Sequence, residues 1–134
     1  MGHDHSPYRV RSGDVISDNE PMVFGDRTAL IEMPISWTLD DFPHFEYLRI
    51  GQAVAPGLMN ASSVLENWIR DFEYMCRTEE FGILTYTCHP FVIGRGHRML
   101  MLDELLEKLT QMGAEFMTMH QAAKLYDERE PFRL

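Results

Sequence analysis

The sequence predicts an α/β fold in which strands alternate with helices and pair in parallel, and three observations carry that expectation. Two stretches place apolar residues at the helical period, several short β-branched or aromatic runs lie between and around them, and 45% of the 134 residues are hydrophobic. That content is enough to bury a core without disulfide staples, so a single domain over 1–134 is expected.

Residues 1–29 are polar and rich in turn formers, notably Ser12-Gly13-Asp14 and Ser17-Asp18-Asn19-Glu20-Pro21, and are expected to be irregular. Leu30 to Trp37 is short and β-prone, a strand that Pro34 would confine to an edge or a bulge. Asp41 to Ala61, broken by Pro43, Gly51, Pro56 and Gly57, is expected to be a loop able to act as a lid.

Val64, Leu65, Trp68, Ile69, Phe72 and Met75 then follow the helical period, with Ser63 and Glu66 spaced as a capping box. Gly82 to Cys88 is a continuous β-prone run and predicts a buried strand. A second helix is expected over about 99–112, with Leu102, Leu105, Leu106 and Leu109 on one face and Gly113 as its stop. Glu115 to Met119 predicts a last strand and Gln121 to Tyr126 a short helix.

The order from residue 30 to residue 134 is therefore β-α-β-α-β-α. Three such units do not close a barrel, which takes about 200 residues or more, so the chain is expected to supply only part of one.

Charge narrows the function. Twenty-one acidic against 12 basic residues leave a formal charge of −9, which disfavours the cationic surface a nucleic-acid partner requires. No apolar run approaches the roughly 20 residues of a membrane span, and the first residues lack the basic and apolar regions of an export signal. A soluble chain in the cytoplasm is expected, with Cys76 and Cys88 as free thiols.

Chemistry concentrates between Thr85 and Arg98, where a strand ends in Cys88-His89-Pro90 and a glycine-flanked basic stretch leads into a helix. Catalytic groups gather at the carboxyl ends of parallel strands, and an imidazole suits proton transfer near neutral pH, so His89 is the leading candidate. Consecutive strand residues face opposite ways, which separates the Cys88 thiol from His89 and assigns Cys88 to packing. Asp40 and Asp41, close to Trp37, read either as a catalytic carboxylate pair or as a turn or helix cap. Gly94-Arg95-Gly96-His97-Arg98 precedes a helix but does not match a phosphate loop. His3-Asp4-His5 lacks the third ligand that an open metal site needs.

Cys88-His89-Pro90 followed by Ile93-Gly94-Arg95-Gly96-His97-Arg98 resembles the last motif of the polysaccharide deacetylase family. Glu32-Met33-Pro34-Ile35-Ser36-Trp37 with Asp40-Asp41 resembles a segment of the branch holding peptidoglycan deacetylase-like proteins and metal-independent allantoinases. Met1-Gly2-His3-Asp4-His5-Ser6-Pro7-Tyr8 is similar to an internal segment of that branch, so the resemblance covers nearly the whole chain.

The resemblance implies a distorted β/α barrel that hydrolyses an amide-type C–N bond, usually with a divalent metal such as zinc activating water. It implies that His89 is the general acid, that Asp40 or Asp41 lines the pocket, and that Pro90 keeps the motif's shape. Trp37, Arg95 and Pro90 enter as candidate substrate contacts, with Arg98 in the same basic loop. The family's metal-binding and base motifs do not occur in the chain, so no metal ligands are assigned. Cys88 and Gly96 stand where the family carries leucine and proline.

The resulting expectation is the C-terminal part of a deacetylase-like hydrolase for a sugar or small-molecule amide, inactive alone. It would act with its missing N-terminal half or as a homo-oligomer. The competing expectation is a non-catalytic α/β module that self-associates through exposed sheet edges.

Overall fold

A computed structural model of the chain describes residues 5–55 and 57–133. It is a mixed α/β structure in which helices carry the core and short strands lie outside it.

The first part of the chain is not irregular. It forms β1 (Tyr8–Ser12), β2 (Val15–Ser17), β3 (Glu20–Val23) and β4 (Asp26–Glu32). β1 pairs with β4 antiparallel, and β2 with β3 through the two-residue turn at Asp18-Asn19. Asp and Asn side chains bond nearby backbone and so favour turns, which is why these turn formers mark a hairpin here and not a loop. Val15, Ile16 and Val23 are all exposed, so apolar alternation does not reveal these strands; backbone pairing makes them.

β4 ends at Glu32, short of the strand expected to reach Trp37. Pro34 has no N–H to continue a ladder, and Trp37–Leu39 closes into a 3-10 turn capped by the Ser36 side chain. The expected loop after Asp41 holds regular structure too: α1 (Asp41–Phe45), then the antiparallel hairpin of β5 (Leu48–Ile50) and β6 (Ala53–Ala55).

α2 (Ala61–Thr78) and α4 (Gly96–Gln111) pack on each other, joined by the short α3 (Pro90–Ile93). α2 buries Val64, Leu65, Trp68, Phe72 and Met75, the stripe that the sequence predicts. Its cap is Asn60, whose side chain accepts from the Ser62 N–H at 2.8 Å, and not the expected Ser63–Glu66 box. α4 begins three residues earlier than its expected start and turns Arg98, Met101, Leu105 and Leu109 inward, leaving Leu106 exposed. Gly113 ends it at φ +90°, a conformation that glycine enters without a Cβ clash. α5 (Met119–Arg129) starts at a Thr118–Gln121 capping box and is longer than expected.

The expected parallel sheet is not assembled among the described residues. Every paired strand is antiparallel, and of Glu115 to Met119, expected to be a strand, residues 115–118 form no ladder and Met119 opens the last helix. Residues 83–88 do run extended, with Leu84, Tyr86 and Cys88 packed alternately on the helical core. Their parallel contact is a single bridge from Asp40 to Thr87, in which Asp41 N–H donates to the Thr87 carbonyl at 3.0 Å and Thr87 N–H to the Leu39 carbonyl at 2.9 Å. That bridge sets residues 39–41 beside residues 87–89.

The N-terminal sheet is tied to the C-terminus by Arg9. Its guanidinium bonds Asp127 and the Glu130 carbonyl and lies over the rings of Tyr126 and Phe132. No helix among the described residues is long and apolar enough to cross a membrane.

Candidate functional site

The site forms where two chain segments end side by side. Asp40 lies between the 3-10 turn and α1, and its carboxylate accepts from the Phe42 N–H at 2.8 Å, which makes it the N-cap of α1. Asp41, one residue on, is fully buried and makes direct contact with His89. Its Oδ2 accepts from the His89 backbone N–H at 2.9 Å and its Oδ1 lies 2.7 Å from His89 Nδ1. Asp40 Oδ1 stands further off, 3.7 Å from the same nitrogen.

The two adjacent acids thus divide into a cap and an imidazole partner, a division that sequence leaves open. Because the carboxylate accepts at Nδ1, that nitrogen carries hydrogen and the ring presents Nε2, which has no hydrogen-bond partner among the described residues. His89 is the N-cap residue of α3 by position but makes no side-chain cap, so its ring is free for this role.

The Asp41 hydrogen bond raises the His89 pKa above 6.5, reinforced by the negative charges of Asp41 and Asp40 and opposed by burial. A raised folded-state pKa stabilises the fold fully at pH below the unfolded value near 6.5, and that contribution is lost as pH rises through the folded value. Urea unfolding from pH 5 to 9 is expected to show this loss above about pH 6.5 in the wild type, and a His89→Gln chain is expected not to show that component.

Cys88 faces the core, and burial, with Asp41 and Asp40 nearby, pushes its thiol up to about 11. It is therefore a packing residue, as the strand geometry predicts, and not a nucleophile.

Rings surround the histidine. Phe42 and Phe91 each place a ring centroid 5.7 Å from that of His89 and lie 6.2 Å from one another, all in edge contacts. Neither phenylalanine stands out in the sequence by type or period; the available signal is adjacency, since Phe42 follows Asp41 and Phe91 lies two residues past His89.

The other sequence candidates separate. Trp37 sits on the 3-10 turn with 79% of its surface exposed, and no contact joins it to His89 among the described residues. Pro90 opens α3 at its first helical position, where the missing N–H costs nothing, so its role is to start the helix. Arg95 is exposed at the N-cap of α4. Arg98 is structural: buried, it donates to the Val92 and Phe45 carbonyls at 2.8 and 3.2 Å, pairs with Glu46 at 3.1 Å and lies over the Phe45 ring. In the N-terminal His3-Asp4-His5 group, His3 and Asp4 lie outside the described residues, while the His5 ring stacks near Tyr74 and its carbonyl accepts from Ile83.

Asp40, Asp41 and His89 each bring one potential ligand atom within 4.8 Å of the others. The hydrogen bonding does not suit a divalent ion. Nδ1 is committed to Asp41, both Asp41 oxygens accept from His89, and a cation there would have to displace the proton that holds the ring.

No protein-family model matches the chain. A peptidoglycan deacetylase of Helicobacter pylori is 27% identical over 142 aligned positions, covering 98% of this chain and 48% of the relative. The chain is similar to a protein named as a peptidoglycan deacetylase. A crystal structure from Mycobacterium smegmatis, of a protein named as a polysaccharide deacetylase, matches with a TM-score of 0.68 and 23% identity. That match takes in 95% of this chain and 39% of the other, and it shows a shared fold. The chain spans about half the length of the curated relative that it matches. This agrees with the resemblance of the His89 and Asp40-Asp41 segments to family motifs.

Proposed function

We propose that the chain supplies the proton-donor side of a deacetylase-type site that hydrolyses the C–N bond of an amino-sugar amide. In this reading protonated His89 donates from Nε2 to the leaving nitrogen as the tetrahedral adduct collapses, and the amine departs neutral. Asp41 positions the ring by accepting at Nδ1 and stabilises the imidazolium before transfer. The raised pKa favours the acid form relative to an unperturbed histidine, which is mostly deprotonated at neutral pH.

The observation that carries the reading is the two-point hold of His89 by a fully buried carboxylate at 2.7 and 2.9 Å. Among the described residues Nε2 has no partner, and the ring is exposed enough for another molecule to reach it. The relative's name supports the substrate class, and the shared fold, with the parallel bridge from Asp40 to Thr87, supports reading the chain as part of a barrel that further polypeptide completes. The groups that activate water would come from that further polypeptide, as part of the same protein or as a partner.

Acetate release from N-acetylglucosamine oligomers tests the proposal. The chain is assayed alone and mixed with the part of the Helicobacter pylori relative that lies outside the match. No turnover is expected alone, and turnover in the mixture should fall about 10²–10⁴-fold on His89→Ala, the usual contribution of a general acid. Turnover by the chain alone that survives His89→Ala would overturn it.

A further inference from the structure

We propose that Phe91 is a specificity-determining residue that holds the leaving-group side of the substrate, its exposed ring stacking on the C–H face of the sugar whose nitrogen His89 would protonate; this rests on the proton-donor reading above. Phe91 lies on the four-residue α3, directly after Pro90, while Val92 and Ile93 on the same helix are buried at 0% and 6% exposure. Those two anchors fix the helix against the core and force Phe91 outward, next to the histidine that begins the same segment.

Its ring centroid is 5.7 Å from the His89 ring, at an interplanar angle of 62°. Phe91 nevertheless keeps 63% of its surface exposed. A ring serving only to cover Phe42 would be expected to lose more of its surface in that contact. The unused face adjoins a histidine whose Nε2 has no partner among the described residues, so a molecule bonded to that nitrogen comes within reach of the ring.

A phenyl face carries partial negative charge and offers no hydrogen-bond donor or acceptor of the ordinary kind. It therefore favours a saturated ring whose C–H bonds point at it with slight positive charge, as one face of a pyranose does, over a strongly hydrated anionic group. Substrate sites of this type pair apolar contact area with a few polar groups that set orientation, and here Phe91 would supply the first and His89 the second.

The test is an NMR titration of the 134-residue chain with di-N-acetylchitobiose, following the His89 imidazole and the aromatic ring protons, in wild type, Phe91→Ala, Phe91→Leu and Phe91→Trp. Phe91→Ala should weaken sugar binding about three- to tenfold, the scale of one aromatic contact. Phe91→Trp should restore it and Phe91→Leu should not, while the His89 titration midpoint stays within about 0.3 pH units throughout. Because Phe91 is mostly exposed, the variants should keep the wild-type fold, which the same spectra report. Equal affinity in wild type and Phe91→Ala, or no perturbation of either ring by the sugar, overturns the proposal. Failure of the proton-donor reading reads out separately, as acetate release in the completed mixture that is indifferent to His89→Ala while the Phe91-dependent sugar contact persists.

Discussion

Asp41→Asn is expected to remove most of the proton-donor activity while changing the backbone little. Asp41 accepts from both the His89 N–H and Nδ1–H, whereas an asparagine in the same place has one accepting oxygen and one donating amide. If the oxygen keeps the backbone N–H, the amide faces Nδ1, and the ring must turn to the tautomer protonated on Nε2 to accept from it. That neutral imidazole carries a proton where the leaving nitrogen would need it but holds it too tightly to serve as an acid. Turnover in the completed mixture should fall about 10³–10⁴-fold, the size of effect seen when a histidine is held in the wrong tautomer.

The His89 pKa should return towards 6.5, since its largest raising influence is the Asp41 bond. Nitrogen-15 chemical shifts of the imidazole report both the midpoint and the tautomer. Exchanging a charge-assisted hydrogen bond for a neutral one should also cost about 1 kcal/mol of stability. A midpoint unchanged from wild type would mean that Asp41 does not govern the ring.

Trp68→Ala is expected to have the largest effect on stability, about 3–5 kcal/mol, read from the urea midpoint. Trp68 is fully buried between the helices, and its indole N–H donates to the Thr38 carbonyl at 2.8 Å. Its own carbonyl accepts from the Tyr86 hydroxyl at 2.9 Å, and their rings stand 5.4 Å apart. The residue therefore joins α2 to both segments that carry the site, residues 36–41 and 83–89. Removing it should also broaden the His89 imidazole signals, because the Asp41 backbone loses its support. Trp68→Phe separates volume from hydrogen bonding: it keeps most of the buried ring, and His44 Nε2 still donates to the Thr38 carbonyl at 2.8 Å. That variant should cost only about 1–2 kcal/mol.

The helices were the most legible part of the fold. Val64, Leu65, Trp68, Phe72 and Met75 recur at the period that one helix face imposes, so burial follows from spacing with little help from the rest of the chain. Gly113 marked the end of α4 for a similarly local reason, its positive φ. Helix starts were less legible, since Asn60 and Ser63 are both competent caps and the choice depends on where the preceding loop delivers the chain.

The strands were harder to read because their pairing is non-local. Nothing in Tyr8 to Ser12 announces that its partner lies at Asp26 to Glu32, and with Val15, Ile16 and Val23 exposed the alternation that betrays a half-buried strand is missing. Residues 83–88 are the converse case. Their β-prone composition was plain, and alternate residues do face the core, yet among the described residues they form no ladder, only the Thr87 bridge and the Ile83 bond to the His5 carbonyl.

At the site, residue types alone determined the candidates: a histidine at a strand end, and two neighbouring acids in a segment resembling a family motif. Tertiary structure decided between the acids, because only the bridge at Asp40 and Thr87 brings residues 40–41 beside 88–89, and only then does one carboxylate cap a helix while the other is buried against the imidazole. It also placed Phe42 and Phe91 around His89 and turned Arg98 into a core brace. Periodicity and motif spacing are properties of consecutive residues and survive in the bare sequence; the 48-residue separation of Asp41 and His89 is closed by packing, which only the folded chain specifies.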